Sequence, residues 1–324
     1  AGLAVSLIVA GFPMQMAAVM GNKELVDLCT GKIGCWMITH PDKGSDVTMV
    51  DVRPELPAGQ QGNKGNMWGR LQGDEIVING QCSAWVSNGA VAQVALGYLS
   101  AEYEDGFFAR DGNPYGMAVI IPLDLPGVSK GKPLEKIGQR ALPQGEIYFD
   151  NVRVPKRFAV ALKDDYYGNM TSAWSFAGTH MGQAFTVVAR AAFELALQYC
   201  HERKQGGRTL IDHQLTRYRL GDMLRRVELC RSVARRSLAY ARLSPLTHPY
   251  VTAAGKVTVT QEAMKVVDEA FQLFGGAGMS REYPIEKLYR DARVALIEDG
   301  ENTILTMRLG VLAQQLYAEG WSQT

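Results

Sequence analysis

The spacing of apolar residues changes twice along the chain and divides it into three zones. Through residue 33 apolar residues dominate, and we expect two helices that break near Gly21-Asn22, with Asn22 capping the second. Residues 34–156 change to alternation with period two and frequent turn residues, which predicts a compact antiparallel β-domain. In residues 157–324 apolar residues recur at helical spacing in four stripes, which predicts a four-helix bundle. The expected fold class is therefore α+β.

The first 22 residues contain no charged side chain, which raises the question of a membrane span or a signal peptide. A signal peptide would begin with basic residues, and none precedes this run. A span would not usually hold three glycines, a proline and a glutamine within so short a segment. We therefore expect a core helix buried on most sides, and a membrane segment is the alternative.

Turn residues add detail to the predicted β-domain. Segments 117–121 and 146–149 are predicted strands because they are short, mostly apolar runs between turn signals. Segment 75–81 is a further predicted strand, and we expect it to end in a hairpin turn at Asn79-Gly80, because Asn-Gly is a strong hairpin signal.

Composition excludes several classes of protein. A chain of 324 residues with 47% hydrophobic and 21% charged residues is typical of a globular protein with a large core. The net charge of +1 gives no electrostatic reason to expect nucleic acid or an anionic membrane as a partner. Five scattered cysteines favour a reducing compartment, and the histidines lack metal-ligand spacing, so we expect neither disulfides nor a metal site.

Two segments of the helical zone carry candidate chemistry. A predicted helix stops on Gly275-Gly276, where the backbone lacks side chains and a phosphate group can approach it closely. A plain helix stop is the alternative for this pair. Further on, Glu298-Asp299-Gly300 places two adjacent carboxylates at one bend, where an acid can act as a proton-abstracting base. For Asp299 the alternative is a cap on a helix that starts near Gly300.

Two segments of the β-zone can contact a planar ring or a phosphate. Residues 38–46 are predicted to run from a strand into a loop with two hydroxyls and a glycine, and a simple Pro-Asp turn is the alternative. Residues 84–89 are predicted to form a strand that carries Trp85 and Ser87 into a turn. A buried core tryptophan is the alternative for Trp85.

The order of these motifs resembles the acyl-CoA dehydrogenases. The resemblance extends from Cys35 over nearly the whole remaining chain and includes the segments 138–140, 152–155, 202–204 and 282–292. It implies an N-terminal α-domain, a middle β-domain, a C-terminal four-helix bundle, an FAD cofactor and a homotetramer, that is, a dimer of dimers. Residues 1–33 would then be the end of an incomplete α-domain, whose remainder is missing or supplied by another polypeptide.

The resemblance also implies roles for single residues. Thr39 and Ser87 would donate to the flavin ring edge, and Trp85 would lie against the ring. The other residues implied in cofactor binding are Trp36, Ile38, Gly44, Ser45, Arg203, Gln272, Gly275, Gly276 and Glu301. Ser45, Asp299 and Gly300 would contact the acyl-CoA substrate.

Several positions depart from the family pattern. Where the family has Tyr-Glu-Gly-Thr, this chain has residues 298–301, so that Asp299 takes the position of the catalytic base and Glu298 that of the tyrosine. Both carboxylates are therefore candidate catalytic residues. Some members place their base on the first bundle helix, but segment 174–178 has no carboxylate, and Gly178 replaces the usual arginine. Gly206 replaces a phenylalanine near the phosphate site.

The predicted function is FAD-dependent α,β-dehydrogenation of an acyl-CoA thioester, with electrons passing to an electron-transfer flavoprotein. One alternative is a flavin monooxygenase on the same scaffold, which needs no carboxylate base. A second is a non-catalytic subunit of a hetero-oligomeric acyl-CoA dehydrogenase. We expect a cytoplasmic location in a bacterium, with the mitochondrial matrix as the alternative.

Overall fold

The computed structural model describes residues 1–49, 56–57, 59–243, 249–318 and 320. Contacts divide the chain into two compact units. The first, here called the sheet unit, comprises Leu3–Glu135 and Arg140–Thr171. The second, here called the helical unit, comprises Ala1–Gly2, Lys136–Gln139 and Ser172–Thr324.

The chain begins with three short helices, α1 (Gly2–Ala10), α2 (Phe12–Val19) and α3 (Lys23–Cys29). The predicted break at Gly21-Asn22 is confirmed, and Asn22 caps α3 by accepting a hydrogen bond from the Leu25 amide at 3.1 Å. A further break at Gly11 separates α1 from α2, so the first zone holds one helix more than we expected.

The expectation that the N-terminal helix is buried on most sides is wrong. Leu3, Leu7 and Val19 are 61%, 67% and 85% exposed, and only a third of Gly2–Val19 is buried. This segment is long and apolar enough to cross a membrane by length and composition, a test that core helices and signal sequences also pass. The apolar residues surround α1 without a polar face, so periodicity alone did not indicate which side is covered.

The sheet unit contains an eight-stranded sheet within the described residues, in the order β6-β7-β3-β2-β4-β5-β8, with β1 paired to β4. Its pairs are antiparallel except for β1–β4 and β2–β4, which are parallel. The strand β5 is buried along its whole length and its neighbour β4 along all but its last residue, which places the core at this antiparallel pair. The strands are β1 (Gly34–Met37), β2 (Trp68–Gln72), β3 (Glu75–Gln81), β4 (Val94–Glu102), β5 (Gly116–Pro122), β6 (Val128–Lys130), β7 (Ile147–Pro155) and β8 (Ala159–Leu162).

The predicted hairpin turn at Asn79-Gly80 is wrong. The strand β3 is present, but its hairpin precedes it, because Gln72 pairs with Glu75 across a turn in which Gly73 has a φ of 59°. Asn79 and Gly80 lie within β3, where the register against β7 shifts between Ile78 and Gly80. The Asn-Gly pair therefore forms an irregularity in a paired strand, which a glycine tolerates.

The helical unit contains the greater part of α4 (Tyr166–Glu202), and then α5 (Gln214–Leu243), α6 (Tyr250–Phe274), α7 (Ile285–Arg293) and α8 (Asn302–Ala318). A two-residue strand pair, β9 (Lys204–Gln205) and β10 (Arg208–Thr209), follows α4.

Helices α5 and α6 are antiparallel. Arg226 pairs with Glu262, and further along α5 the Ser237 hydroxyl bonds to the Val251 carbonyl, so the partners run in opposite directions. Helix α6 also packs against α7 and α8, which makes it the central element of this unit. The first of the four apolar stripes lies on α4, and its residues Met181, Phe185, Val188 and Ala192 are buried.

Candidate active site

The two adjacent carboxylates lie on a sharp turn between α7 and α8. Helix α7 runs into a 3-10 turn at Val294–Leu296, and α8 begins at Asn302. Within the turn, Asp299 has a φ of 51° and Gly300 a φ of 91°, so both adopt the left-handed region. Aspartate is among the few non-glycine residues that enter this region readily. The turn therefore favours a short acidic side chain at 299 and a glycine at 300.

Glu301, and not Asp299, caps helix α8. Its Oε2 accepts hydrogen bonds from the amides of Thr303 at 2.8 Å and Ile304 at 3.1 Å. The alternative interpretation of Asp299 as a helix cap is therefore wrong. The Thr303 hydrogen bond lowers the pKa of Glu301, because it stabilises the charged carboxylate. The role of Glu301 toward the cofactor stays a prediction, since its carboxylate already bonds to its own helix.

A buried lysine on α6 holds this turn. Lys256 is 1% exposed, and its Nζ donates to the Gly300 carbonyl at 2.7 Å and to Asn302 Oδ1 at 2.8 Å. Asn302 in turn donates to Thr260 Oγ1 at 3.0 Å. Burial lowers the pKa of Lys256 to about 8, and the nearby Asp299 carboxylate opposes that shift. Sequence analysis missed Lys256, although a lysine among small and apolar residues on a buried helix is itself a signal.

The two carboxylates differ in their surroundings. Burial raises the pKa of Asp299 to about 6, and the Lys256 charge partly offsets this effect. Burial and the neighbouring Asp299 raise the pKa of Glu298 to about 7. A hydrogen bond from Gln139 Nε2, at 2.9 Å, opposes that rise. The pKa of Glu298 is therefore raised further than that of Asp299, so Asp299 is the more readily ionised of the two acids.

Gln139 is a second residue that sequence analysis did not assign to the site. Its φ of 47° is left-handed, and its backbone amide donates to Asp291 Oδ1 at 2.6 Å. Asp291 is 1% exposed and also pairs with Lys287 at 2.5 Å. The Gln139 Oε1 is buried and accepts no hydrogen bond from the described residues. Asp291 thus fixes the backbone from which Gln139 reaches Glu298.

A small cavity adjoins Asp299. The buried Ser175 hydroxyl has no hydrogen-bond partner among the described residues. No carboxylate reaches the cavity from α4, which agrees with the absence of an acid in segment 174–178. The residues that line the cavity include Trp174, Ser175, Gly178, Lys256, Asp299 and Arg308.

A separate, open groove brings together four of the residues predicted to bind the cofactor: Arg203, Gln272, Gly275 and Gly276. It encloses about 1490 Å³ of empty space, including its solvent-facing mouth. Gly275 has a φ of 57°, and a Cβ at either glycine would meet no atom within 4 Å, so the backbone is open to a ligand. An arginine beside bare backbone is chemically suited to a diphosphate, so this groove fits that part of FAD.

The residues predicted to contact the flavin ring lie in the sheet unit. Trp85 is 62% exposed, so the alternative of a buried core tryptophan is wrong. Residues 84–89 form a turn and not the predicted strand, and Ser87 makes an isolated bridge to Gln144. Thr39 Oγ1 lies 2.6 Å from Ser83 Oγ, on the loop that follows β1.

The remaining predicted cofactor residues of the sheet unit differ in burial. Trp36 is 6% exposed, and its ring packs edge-on against Phe12 with centroids 5.3 Å apart. Ile38 is 7% exposed. In the loop, the Gly44 amide donates to Asp46 Oδ1 at 2.7 Å, and Ser45 opens a 3-10 turn. The roles of these residues toward a flavin or a substrate stay predictions.

Comparison with known proteins agrees with this arrangement. Residues 35–152 match the family "Acyl-CoA dehydrogenase, middle domain", and residues 174–313 match "Acyl-CoA dehydrogenase, C-terminal domain". Glutaryl-CoA dehydrogenase of Desulfococcus multivorans is 31% identical over 277 residues, which cover 85% of this chain and 65% of that protein. A protein of Bacillus subtilis named as a probable acyl-CoA dehydrogenase is 31% identical over 298 residues, which cover 90% and 71%.

Solved structures show the same fold. Butyryl-CoA dehydrogenase from Megasphaera elsdenii superposes with a TM-score of 0.81 at 24% identity, over 97% of this chain and 78% of that one. The chain thus spans about two thirds to four fifths of the length of these proteins. FAD is the cofactor of the family whose two domain descriptions match. On the strength of the matched domains and of the 31% identity to these relatives, the chain belongs to the acyl-CoA dehydrogenase family.

Proposed function

We propose that this chain catalyses FAD-dependent α,β-dehydrogenation of an acyl-CoA thioester, with Asp299 as the base. The observation that carries the proposal is the half-buried Asp299 carboxylate on its left-handed turn, with a pKa raised to about 6. A group with that pKa is ionised at neutral pH and is more basic than an ordinary aspartate, which suits removal of a weakly acidic proton.

The proposed reaction divides the work between the chain and its cofactor. Bound FAD supplies a hydride acceptor for the hydrogen that leaves the β-carbon. Asp299 accepts the proton from the α-carbon, so that the broken C–H bond leaves its electron pair on the substrate and the carboxylate becomes neutral. The substrate loses two hydrogens and gains a double bond between its α and β carbons.

Backbone amides of the turn can stabilise the thioester oxygen as it gains negative charge. The amides of Asp299 and Gly300 donate no hydrogen bond to any residue of the described part of the chain. Gly300 is buried, so an unpaired amide there is costly unless a ligand accepts its hydrogen bond. Two such amides beside the base form the kind of donor pair that stabilises an oxyanion.

The backbone conformation at residue 299 can explain why this chain has an aspartate where the family pattern has a glutamate. Residue 299 lies at a positive φ, where aspartate is favoured over longer side chains. A substrate α-carbon must then approach the turn more closely than it would approach a glutamate.

The residues that would hold FAD follow from the open groove. Arg203 and the bare backbone at Gly275 and Gly276 would contact the diphosphate, and Gln272 lines the same groove. In the sheet unit, Trp85 offers an exposed aromatic face. We further propose a homo-oligomer as the working state and an electron-transfer flavoprotein as the electron acceptor.

The test is to mix the FAD-loaded protein anaerobically with straight, branched and cyclic acyl-CoA thioesters and to follow the visible flavin absorbance. We expect bleaching with at least one thioester. Absence of bleaching with every thioester would overturn the proposal. Oxygen consumption by the reduced flavoprotein that yields a hydroxylated product would instead favour the monooxygenase.

A further inference from the structure

Lys256 is an ionisable group in the core of the helical unit that the proposed reaction does not use directly. It lies on α6 and is 1% exposed. Transfer of an ammonium group from water into a protein core is unfavourable unless the charge is paired and hydrogen-bonded. Both of its hydrogen bonds go to the segment around the base, to the Gly300 carbonyl and to Asn302 at the start of α8.

These two bonds fix the conformation of the turn from one side. The Gly300 carbonyl belongs to the residue that directly follows the base, and Asn302 opens the helix that follows the turn. Glu301 fixes the other side, because it caps α8 through the amides of Thr303 and Ile304. Aspartate enters the left-handed region more readily than most residues, but the conformation still costs energy and needs support from its surroundings. The two hydrogen bonds of Lys256 are part of that support.

The charged groups around Lys256 are few. Glu298, Asp299 and Glu301 on the turn favour its charged form, and Asp299 has the largest effect of the three. Arg308 on α8 lines the same cavity as Lys256 and Asp299. The α4 residues that line this cavity, Trp174, Ser175 and Gly178, are uncharged.

We propose that Lys256 is a positioning residue for Asp299, holding the turn through the Gly300 carbonyl and keeping the Asp299 carboxylate charged. The inference rests on the proposed function, in which Asp299 is the base. It assigns Lys256 no contact with substrate or flavin. The alternative is a purely structural lysine, whose loss would lower stability without changing how Asp299 titrates.

The proposal predicts two limits in the pH dependence of the reaction. The rate of flavin bleaching should rise through about pH 6, as Asp299 loses its proton. It should fall again above about pH 8, because deprotonation of Lys256 weakens its hydrogen bonds to the turn and so the placement of Asp299. A profile with no alkaline limb in the unmodified protein would contradict the proposal.

The variant that tests it is Lys256→Met, which keeps an unbranched apolar chain and removes the charge and its hydrogen bonds. We expect bleaching about 100-fold slower, since a displacement of about 1 Å at a reacting group has an effect of that order. The acid limb should shift to higher pH, and the alkaline limb should disappear. The matched control is Lys265→Met on the same helix, where the lysine is exposed and pairs with Glu262. This control should keep both limbs.

A second readout does not depend on activity. In apoprotein labelled with carbon-13 at the aspartate carboxyl carbons, the Asp299 resonance is the one that Asp299→Asn removes. Its pKa should be higher in Lys256→Met than in the unmodified protein, and Lys265→Met should leave it unchanged. If Lys256→Met does not fold, Lys256→Ala with added propylamine should recover the lower pKa.

The outcomes separate the two proposals. An unmodified protein that bleaches with no thioester overturns the proposed function, and the carboxyl titration still tests Lys256. Bleaching with an unchanged pH profile and an unchanged Asp299 pKa in Lys256→Met overturns the inference and leaves the dehydrogenase intact.

Discussion

Gln139 donates a hydrogen bond from its side-chain amide to the Glu298 carboxylate, at 2.9 Å and across 159 positions of sequence. The bond joins the segment Lys136–Gln139 to the turn that carries Asp299. It distinguishes the two acids of the turn, because Gln139 holds Glu298 and no side chain of the described residues donates a hydrogen bond to Asp299. Glu298 is thus anchored by a side chain, whereas Asp299 is not, which agrees with the proposal that Asp299 is the base.

This relationship predicts the titration of Glu298. In Gln139→Leu the carboxylate loses a donor that stabilises its charged form, so the pKa of Glu298 should rise above about 7. Carbon-13 NMR of glutamate carboxyl carbons, with Glu298→Gln to assign the resonance, measures it. Gln144→Leu, in the sheet unit, is the control. A Glu298 pKa that does not move in Gln139→Leu would show that this bond has no effect on the acid.

The cap of α8 predicts a stability effect at Glu301. Glu301→Ala should lower the free energy of unfolding by about 0.5–2 kcal/mol, because two amides at the helix start lose their acceptor. The pKa of Glu301 is lowered in the folded protein. The stabilisation is therefore present above the ordinary glutamate pKa and is lost as the pH falls through the folded value. Urea unfolding at several pH values measures it.

Glu282 provides the control for the cap, because it is exposed and lies in the loop before α7. Glu282→Ala should leave the free energy of unfolding nearly unchanged. Equal effects of the two substitutions would contradict the capping role. A loss of FAD affinity in Glu301→Ala beyond the loss of stability would support the role in cofactor binding predicted from the sequence.

The left-handed turn predicts opposite effects of one substitution at two glycines. Gly300→Ala should destabilise the protein by about 1 kcal/mol or more, because φ is 91° and a Cβ would lie 3.0 Å from the Leu305 side chain. Gly310→Ala, within α8 and with open space around it, should stabilise by about 0.5–1 kcal/mol. Thermal unfolding compares them, and a shift of the same sign in both would contradict the assigned turn conformation.

The open groove predicts which arginine binds the cofactor. Arg203→Ala should weaken FAD binding by about tenfold to a hundredfold, because a hydrogen bond to a charged group contributes about 1.5–3 kcal/mol. Arg190→Ala, on the exposed face of α4 and paired with Glu194, is the control and should bind FAD normally. Quenching of flavin fluorescence on titration into apoprotein measures both. Equal affinities would place the diphosphate elsewhere.

Much of the fold follows from local pattern, because periodicity reports which side of each element is covered. The change from period two to helical spacing located the sheet and the long helices, although the sheet extends past residue 156 to β8. The prediction of a turn at Asn79-Gly80 was wrong because the pairing of β3 with β7 overrides a local turn preference. The prediction that α1 is buried was wrong because a helix that is apolar on all sides gives no periodic signal for the side that is covered.

Only some residues of the candidate site could be predicted from the sequence. Adjacent acids such as Glu298 and Asp299 are visible as a motif, and so are the paired glycines of the groove. Lys256 and Gln139 are not visible in this way, because they reach the turn across 44 and 159 positions of sequence. Their roles depend on how α6 and the segment Lys136–Gln139 pack, which no local pattern encodes.

The central claim is that Asp299 removes the α-proton, and one measurement tests it most directly. Anaerobic stopped-flow mixing of the FAD-loaded protein with a reactive acyl-CoA should show rapid flavin bleaching in the unmodified protein and in Glu298→Gln. Asp299→Asn should bind FAD and thioester normally and show no bleaching. Bleaching in Asp299→Asn at the unmodified rate, or its loss in Glu298→Gln alone, would contradict the account.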